Sequence, residues 1–351
     1  MTPRIEISLS KIQENARILS KLYGQKGISL TAVSKAVLGE PAVAEAMLKG
    51  GVKGIADSRI ENIERMQRAG VSARFVLLRT ALSQAESVVL YADVSLNTEL
   101  ETLKALSFQA KLQDKTHQVI IMVEMGDLRE GVAPADLFPL VSQALTLPNL
   151  KVVGIGCNLA CYGGVMPDAS KMRGLSGLAI RLEEEFRIGL EIVSGGNSAN
   201  YNWVQGTEDL GRVNNLRIGE SILLGRETLA RKAIPGLHQD AFQLVAEVIE
   251  AKWKPSLPYG QIGQDAFGLI PAFEDRGLIQ RLILAIGRQD TSTSGLQPEG
   301  NLEILGASSD HLILDGKNNP IQVGDEIRFS LDYGALLSAM TSPFVHKQLI
   351  Q

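Results

Sequence analysis

Metal ligands are scarce in this chain, which has two cysteines and four histidines in 351 residues. Cys157 and Cys161 stand four apart where a strand runs out, and His117, His238, His311 and His346 show no ligand spacing with them. Two cysteines cannot build a disulfide framework and supply at most half of a metal site, so no metal is expected. Both thiols are read as buried and reduced, which suits the cytoplasm. No stretch reaches the roughly 18 uninterrupted apolar residues of a membrane helix. The start, Met1-Thr-Pro-Arg-Ile-Glu-Ile-Ser, lacks the apolar h-region of a secretory signal. A basic excess is missing too: the formal net charge is -4, and no dense Lys/Arg run occurs. Neither nucleic acid nor a membrane is an expected partner.

What the chain does have is apolar patterning, at 45% hydrophobic and 21% charged residues, ample for a sizeable core. A strand over 5–9 runs into a helix over 11–22, with Ser10 as its cap. Strand patterns then recur over 30–33, 53–56, 74–78, 94–96, 118–123, 152–156, 191–193 and 215–218. Helical patterns follow each of the first seven, over 41–49, 58–69, 84–91, 98–112, 134–145, 170–186 and 199–204. Such alternation implies parallel βαβ units, and eight of them imply an α/β fold with a closed (β/α)8 TIM-like barrel. An open doubly wound sheet is the alternative. From Phe242 the texture changes to strands over 242–249, 281–286, 302–305, 311–314 and 325–331, separated by Gly, Pro and Asn turns without helices between them. The expected organisation is a barrel domain over 1–240 and a C-terminal, mainly β domain over 241–351, with residues 1–9 pairing with the latter.

Barrel enzymes carry their chemistry at the carboxyl ends of the strands. Those ends read Lys35, Asp57-Ser58-Arg59, Arg79, Asn97, Glu124 with Asp127 and Arg129, Asn158, Ser194-Gly-Gly-Asn-Ser198 and Arg217-Ile-Gly219-Glu220. A polar residue at a strand end is ordinary, and Lys35 alone reads best as a strand end in water. A partly desolvated lysine, however, becomes nucleophilic towards an aldehyde. Gly195, Gly196 and Gly219 let backbone N–H groups approach a ligand, and Ser198 stands near a helix start; together they would form a phosphate cup rather than two glycine turns. A P-loop is excluded because no Gly-Lys-Ser/Thr follows, and Gly154-Ile-Gly156 lacks the third glycine of a dinucleotide loop. A strand-end lysine, a phosphate cup and no metal set together suggest pyridoxal 5'-phosphate held as a Schiff base.

Several stretches carry a family resemblance: Ala32-Val-Ser-Lys-Ala36, Ala56-Asp-Ser-Arg-Ile60, Met122-Val-Glu-Met-Gly-Asp-Leu-Arg-Glu-Gly131, Gly154-Ile-Gly-Cys-Asn-Leu-Ala-Cys-Tyr-Gly163, Val193-Ser-Gly-Gly-Asn-Ser198, Asn215-Leu-Arg-Ile-Gly-Glu-Ser221, Ile262-Gly-Gln-Asp-Ala-Phe-Gly268 and Ile304-Leu-Gly-Ala-Ser-Ser-Asp-His311. The chain resembles the alanine racemase-like, fold-type III pyridoxal phosphate enzymes, and most closely their ornithine racemase branch. The resemblance implies that Lys35 binds the cofactor and works as a base on one face of the substrate. Ser198, Gly219 and the backbone at Glu220 match phosphate contacts, and Arg217 matches the arginine facing the pyridine nitrogen. Arg129 falls where an arginine supports the substrate carboxylate region. Tyr259 falls where alanine racemases carry a tyrosine base that reaches the site from the partner subunit of a homodimer; read by itself it is a turn tyrosine.

The departures bear on the substrate. Val37-Leu38 replace a tyrosine that touches the phosphate in alanine racemases, Met122 replaces their carbamylated lysine, and Asn158 replaces the histidine stacked on the pyridine. A larger substrate with a distal amine is implied, ornithine first and lysine second. Such an amine needs an acidic partner, for which Asp127, Glu130, Asp290 and Asp310 are the candidates. Asp310-His311 is the alternative second acid/base. The rival functions are an alanine or broad-spectrum racemase, a non-catalytic pyridoxal phosphate protein, a decarboxylase of the same fold and a metal-assisted aldolase. The residues from Phe242 on disfavour the second, the barrel position of both cysteines the third, and the lack of ligand histidines the fourth.

Overall fold

Eight short parallel strands close on one another in the middle of the chain. The computed structural model describes residues 2–350. It divides into a unit spanning Leu9–Gln239 and a second unit of residues up to Ser8 together with those from Asp240 on. The first strand, β1 (Arg4–Ser8), belongs to the second unit. The barrel strands are β2 (Ser29–Val33), β3 (Gly54–Asp57), β4 (Phe75–Leu77), β5 (Val94–Asn97), β6 (His117–Met122), β7 (Leu150–Gly156), β8 (Ile192–Ser194) and β9 (Asn215–Ile218). Each pairs with the next, and β9 pairs back to β2 in parallel, so the barrel is closed. The (β/α)8 expectation holds, and closure excludes the open doubly wound sheet.

Alternate residues of a strand share a face. Val33, Ala56, Val76, Val94, Leu96, Ile120, Met122 and Val153 pack into one buried cluster. The parallel register carries that face from Met122 to Gly156, on to Ser194 and Asn215, and from Thr31 across to Arg217. The barrel interior is thus apolar on one side and polar on the other. Gly154 is required where β7 meets β8, because a Cβ there would lie 2.0 Å from the Ile192 carbonyl oxygen.

The first helix runs Leu9–Gly24, so Ser10 lies inside its first turn and is not its cap. Strand and helix are continuous in sequence, and the cap expectation placed the boundary two residues late. Buried Asn15 ties this helix to the end of the unit: its Nδ2 donates to Ile222 O at 3.0 Å and His238 O at 2.8 Å, and its Oδ1 accepts from His238 N at 2.7 Å.

On the helix-facing side of the sheet, His117 is only 2% exposed, with Nε2 2.8 Å from Ser95 Oγ. Burial, helped by Lys115, pushes its imidazole down from 6.5 to about 4. The unfolded chain therefore binds the extra proton between those values, and stability rises with pH across the window. It is fully present above pH 6.5 and falls as pH drops towards 4. The difference, at about 1.4 kcal/mol per pH unit, is worth about 3 kcal/mol. Replacing His117 with Gln is expected to flatten this slope; urea unfolding at several pH values between about 7 and about 5 measures it, and an unchanged slope would refute the assignment.

The second unit is an eight-stranded sheet built on β10 (Phe242–Pro255), β11 (Leu278–Leu284), β12 (Leu296–Pro298), β13 (Glu303–Ala307), β14 (Leu312–Asp315) and β15 (Glu326–Leu331), in the order β12-β15-β10-β11-β14-β13. Strand β1 pairs antiparallel with β10 and parallel with β16 (His346–Ile350). The sequence reading placed neither β12, β16 nor the helix Tyr333–Thr341. That helix is short and rich in small residues, and its start is marked by Asp332, whose side chain accepts from Ala335 N at 2.8 Å. No helix among the described residues is long and apolar enough to cross a membrane.

Candidate active site

Lys35 is the residue at which β2 turns into a short 3-10 helix, Lys35–Val37. It follows Val33, a member of the interior cluster and the last residue of β2, by two positions. The turn closes through Leu38 and Gly39, both left-handed at φ 54° and 56°. Lys35 is half-buried, and its ammonium has no hydrogen-bond or ion-pair partner among the described residues. On the adjoining strand, a Cβ at Gly219 would lie 3.1 Å from that of Val33. The root of the lysine and the end of β9 are therefore in close approach.

Arg217 lies two residues before Gly219 on β9 and is 5% exposed. Its Nη1 donates to Ser194 Oγ at 2.5 Å and its Nη2 to the Cys157 carbonyl at 2.8 Å. Ser194 donates on to Asn215 Oδ1 at 2.8 Å, and Asn215 donates to Thr31 Oγ1 at 3.1 Å. No carboxylate stands within ion-pair distance of Arg217 among the described residues. Burial lowers its pKa, while Cys157 and Glu130 pull the other way; an arginine still keeps its charge. The same burial pushes the Cys157 thiol up to about 12, an inert group.

The ends of β8 and β9 come together. Ser198 begins the 3-10 helix Ser198–Asn200, and its Oγ accepts from Ser221 N at 3.3 Å, next to Glu220. Gly196, at φ 139°, passes so close to Asn200 that a Cβ would lie 2.3 Å from its Oδ1. Gly195 does not offer its N–H to a ligand as expected, because that group donates to Asn215 O at 3.0 Å in the barrel ladder. What glycine provides at 195 is room, since a Cβ would meet Val213 at 2.7 Å. Asn158 Oδ1 accepts from Asn197 Nδ2 at 3.0 Å, while its own Nδ2 is buried without a partner among the described residues. A buried amide donor, a guanidinium without a carboxylate and an ammonium without a partner thus share the carboxyl end of one barrel. Buried donors in that state are costly. They fit a ligand that brings anionic acceptors.

The family model described as alanine racemase, N-terminal domain, matches residues 7–227. The chain is 44% identical to a curated ornithine racemase of Acetoanaerobium sticklandii over 100% of both proteins. It is 39% identical to a lysine racemase of Thermotoga maritima over 98% of both. The chain belongs to the alanine racemase family. Its activity class, amino-acid racemisation, follows from these full-length matches. Among solved structures, an alanine racemase from a D-cycloserine-producing Streptomyces lavendulae superposes with a TM-score of 0.77 at 16% identity, covering 100% of this chain and 98% of that one. At that identity the likeness speaks for the fold alone.

Other strand-end residues of the racemase stand elsewhere. Asp57 and Asn97 lie on the helix-facing side: Asp57 accepts from Ser34 Oγ at 2.7 Å, and Asn97 donates to Ser95 Oγ at 2.9 Å. Neither lines the barrel mouth as its position in sequence suggested. Of the acids considered for a distal amine, Asp127 is committed elsewhere. It accepts from the amides of Cys161 at 3.2 Å, Tyr162 at 2.9 Å and Val165 at 3.2 Å. Burial works against its charge, but these amides hold its carboxyl below the usual range. Asp290 is likewise buried and accepts from Gly287 N at 3.0 Å. Glu130 forks onto Arg129 through both oxygens, which raises the Arg129 pKa. Cys161 is exposed, not buried; it follows the barrel strand by five residues, and only Cys157 reaches the packed end. Tyr259 and Asp310 belong to the β unit. Tyr259 is 95% exposed, and Asp310 is an exposed turn residue beside Ser308, Ser309 and His311, with its Oδ1 3.0 Å from His311 Nδ1.

Proposed function

We propose that this racemase interconverts L- and D-ornithine, with lysine as second substrate, using pyridoxal 5'-phosphate bound through Lys35. The observation that carries the substrate is the full-length similarity to an ornithine and a lysine racemase at 44% and 39% identity, both named for basic amino acids. The cofactor reading rests on the unsatisfied donors of the barrel mouth. Ser198, Gly219 and the backbone at Glu220 would hold the phosphate, Asn158 would give its free amide, and Arg217 would face the ring nitrogen. When bound, the group supplies the electron sink that lets the substrate Cα–H ionise. Arg217, which stays charged, would disfavour a proton on that ring nitrogen.

Racemisation needs one acid/base on each face of Cα. Lys35 takes one face and Tyr259 the other, with Arg129 and Asp310 contacting substrate. Tyr259 is supplied by the partner in a head-to-tail homodimer. In support, the loop between β10 and β11 exposes Tyr259, Ile262, Leu269, Ile270 and Phe273, more apolar surface than a loop in water carries alone. The proposed setting is the cytoplasm.

The test is a chiral assay in heavy water with L-ornithine, L-lysine and L-alanine given separately to the purified protein and pyridoxal phosphate. D-ornithine is expected to form fastest, carrying deuterium at Cα. D-alanine forming fastest would overturn the substrate, and exchange without inversion would overturn the reaction.

A further inference from the structure

One buried carboxylate of the barrel has no part in this scheme. Asp57 ends β3 with 0% exposure. Its Oδ2 accepts from Ser34 Oγ at 2.7 Å, and its Oδ1 accepts from Arg59 N and from Asn62 Nδ2, both at 2.9 Å. Burial raises its pKa, and the Ser34, Asn62 and backbone donors work against that rise. No cation pairs with it among the described residues. A buried acid answered only by neutral donors is expensive to keep, so what it holds in place is informative.

It holds the turn that carries Lys35. Ser34 N donates to Ala56 O at 2.9 Å, and Ser34 O accepts from Val37 N at 3.0 Å and Gly39 N at 3.1 Å. Ser34 is thus bonded through its amide, carbonyl and hydroxyl at once. Gly39 closes the circuit from the other side: with φ 56°, a Cβ there would lie 2.9 Å from Asn62 Cβ. Ser34, Asp57, Asn62 and Gly39 form a ring around the backbone of the lysine. The Lys35 ammonium has no partner of its own among the described residues, so its backbone sets where the amine starts.

We infer that Asp57, acting through Ser34, is the positioning residue for Lys35, fixing the direction from which its amine meets the cofactor aldehyde. The inference rests on the cofactor reading above. Its content is that attack geometry, not cofactor affinity, depends on the Asp57–Ser34 hydrogen bond.

Cofactor-free protein would be mixed with pyridoxal 5'-phosphate and the Schiff-base absorbance followed as the Lys35 amine condenses with the aldehyde and water leaves. Pyridoxine 5'-phosphate, which lacks the aldehyde, reports binding alone. Ser34→Ala is expected to slow condensation about tenfold, since misplacement of a reacting group is penalised steeply, while leaving the affinity for pyridoxine phosphate unchanged. Asp57→Asn, which keeps the link to Ser34 and Asn62, should recover most of the rate that Asp57→Ala loses. Ser34→Ala combined with Asp57→Ala should do no more harm than the worse single change. Condensation at the wild-type rate in Ser34→Ala, or a parallel loss of pyridoxine phosphate affinity, would overturn the inference. Absence of the absorbance in wild type would instead defeat the cofactor reading. The tether is then tested by acetylation of Lys35 with acetic anhydride, read by peptide mass spectrometry against exposed Lys53: Ser34→Ala should raise the Lys35 rate, and an unchanged ratio would refute the tether.

Discussion

Lys35→Ala is expected to lose all measurable racemisation, together with the Schiff-base absorbance on adding pyridoxal phosphate. Two roles meet at this amine in the proposed scheme. It anchors the cofactor covalently and serves as the base on one face of Cα. Proton transfer by a positioned group contributes about 10²–10⁴-fold, and loss of the covalent anchor adds to that. The same change should leave the fold intact. Lys35 is half-buried and its side chain bonds to nothing among the described residues, so removing it should shift stability by no more than about 0.5 kcal/mol. Thermal unfolding of the cofactor-free variant beside a chiral assay separates the two effects. An active variant would remove Lys35 from the site, and a variant that fails to fold would show that the turn needs its stem.

The barrel was legible because its strands and helices differ in hydrophobic period, and the two periods alternate without a break from β2 to β9. The direction of a side chain at a strand end was not legible. Every polar residue at such an end reads in sequence as a member of the mouth, yet one residue of register decides between interior and helix-facing side. Arg217 pairs with Thr31 on the interior face, whereas Asp57 comes one residue after Ala56 of the interior cluster and turns away. Within a strand that parity was open to counting, since Asp57 follows Ala56 by one. What could not be counted is which face of β3 matches which face of β2, because that depends on pairing across the sheet. Gly195 failed for the same reason. Its glycine signals a close approach, and the thing approached is Val213 rather than a phosphate. Asp127 looked like a free acid at the mouth because the three amides that occupy it lie 34 to 38 residues further along the chain.

Tyr259→Phe is expected to divide the two faces of the reaction. Removing the phenol leaves Lys35 able to take and return a proton on its own face, so one enantiomer of ornithine should still exchange Cα–H for deuterium with retention. The other enantiomer should lose exchange about 10²–10⁴-fold, and inversion should fall by a similar factor in both directions, since each inversion uses both groups. Stability offers no competing explanation. Tyr259 is 95% exposed and its hydroxyl bonds to nothing among the described residues, so the ring without its oxygen should fold as before. The measurement is deuterium uptake by L- and D-ornithine separately, with chiral separation of the products. Exchange lost equally from both enantiomers, or undiminished in both, would take the second role away from Tyr259 and give it to the Asp310–His311 pair. There the carboxylate, held below its usual range by the Ser308 and Ser309 hydroxyls, would orient the His311 imidazole as the second acid/base.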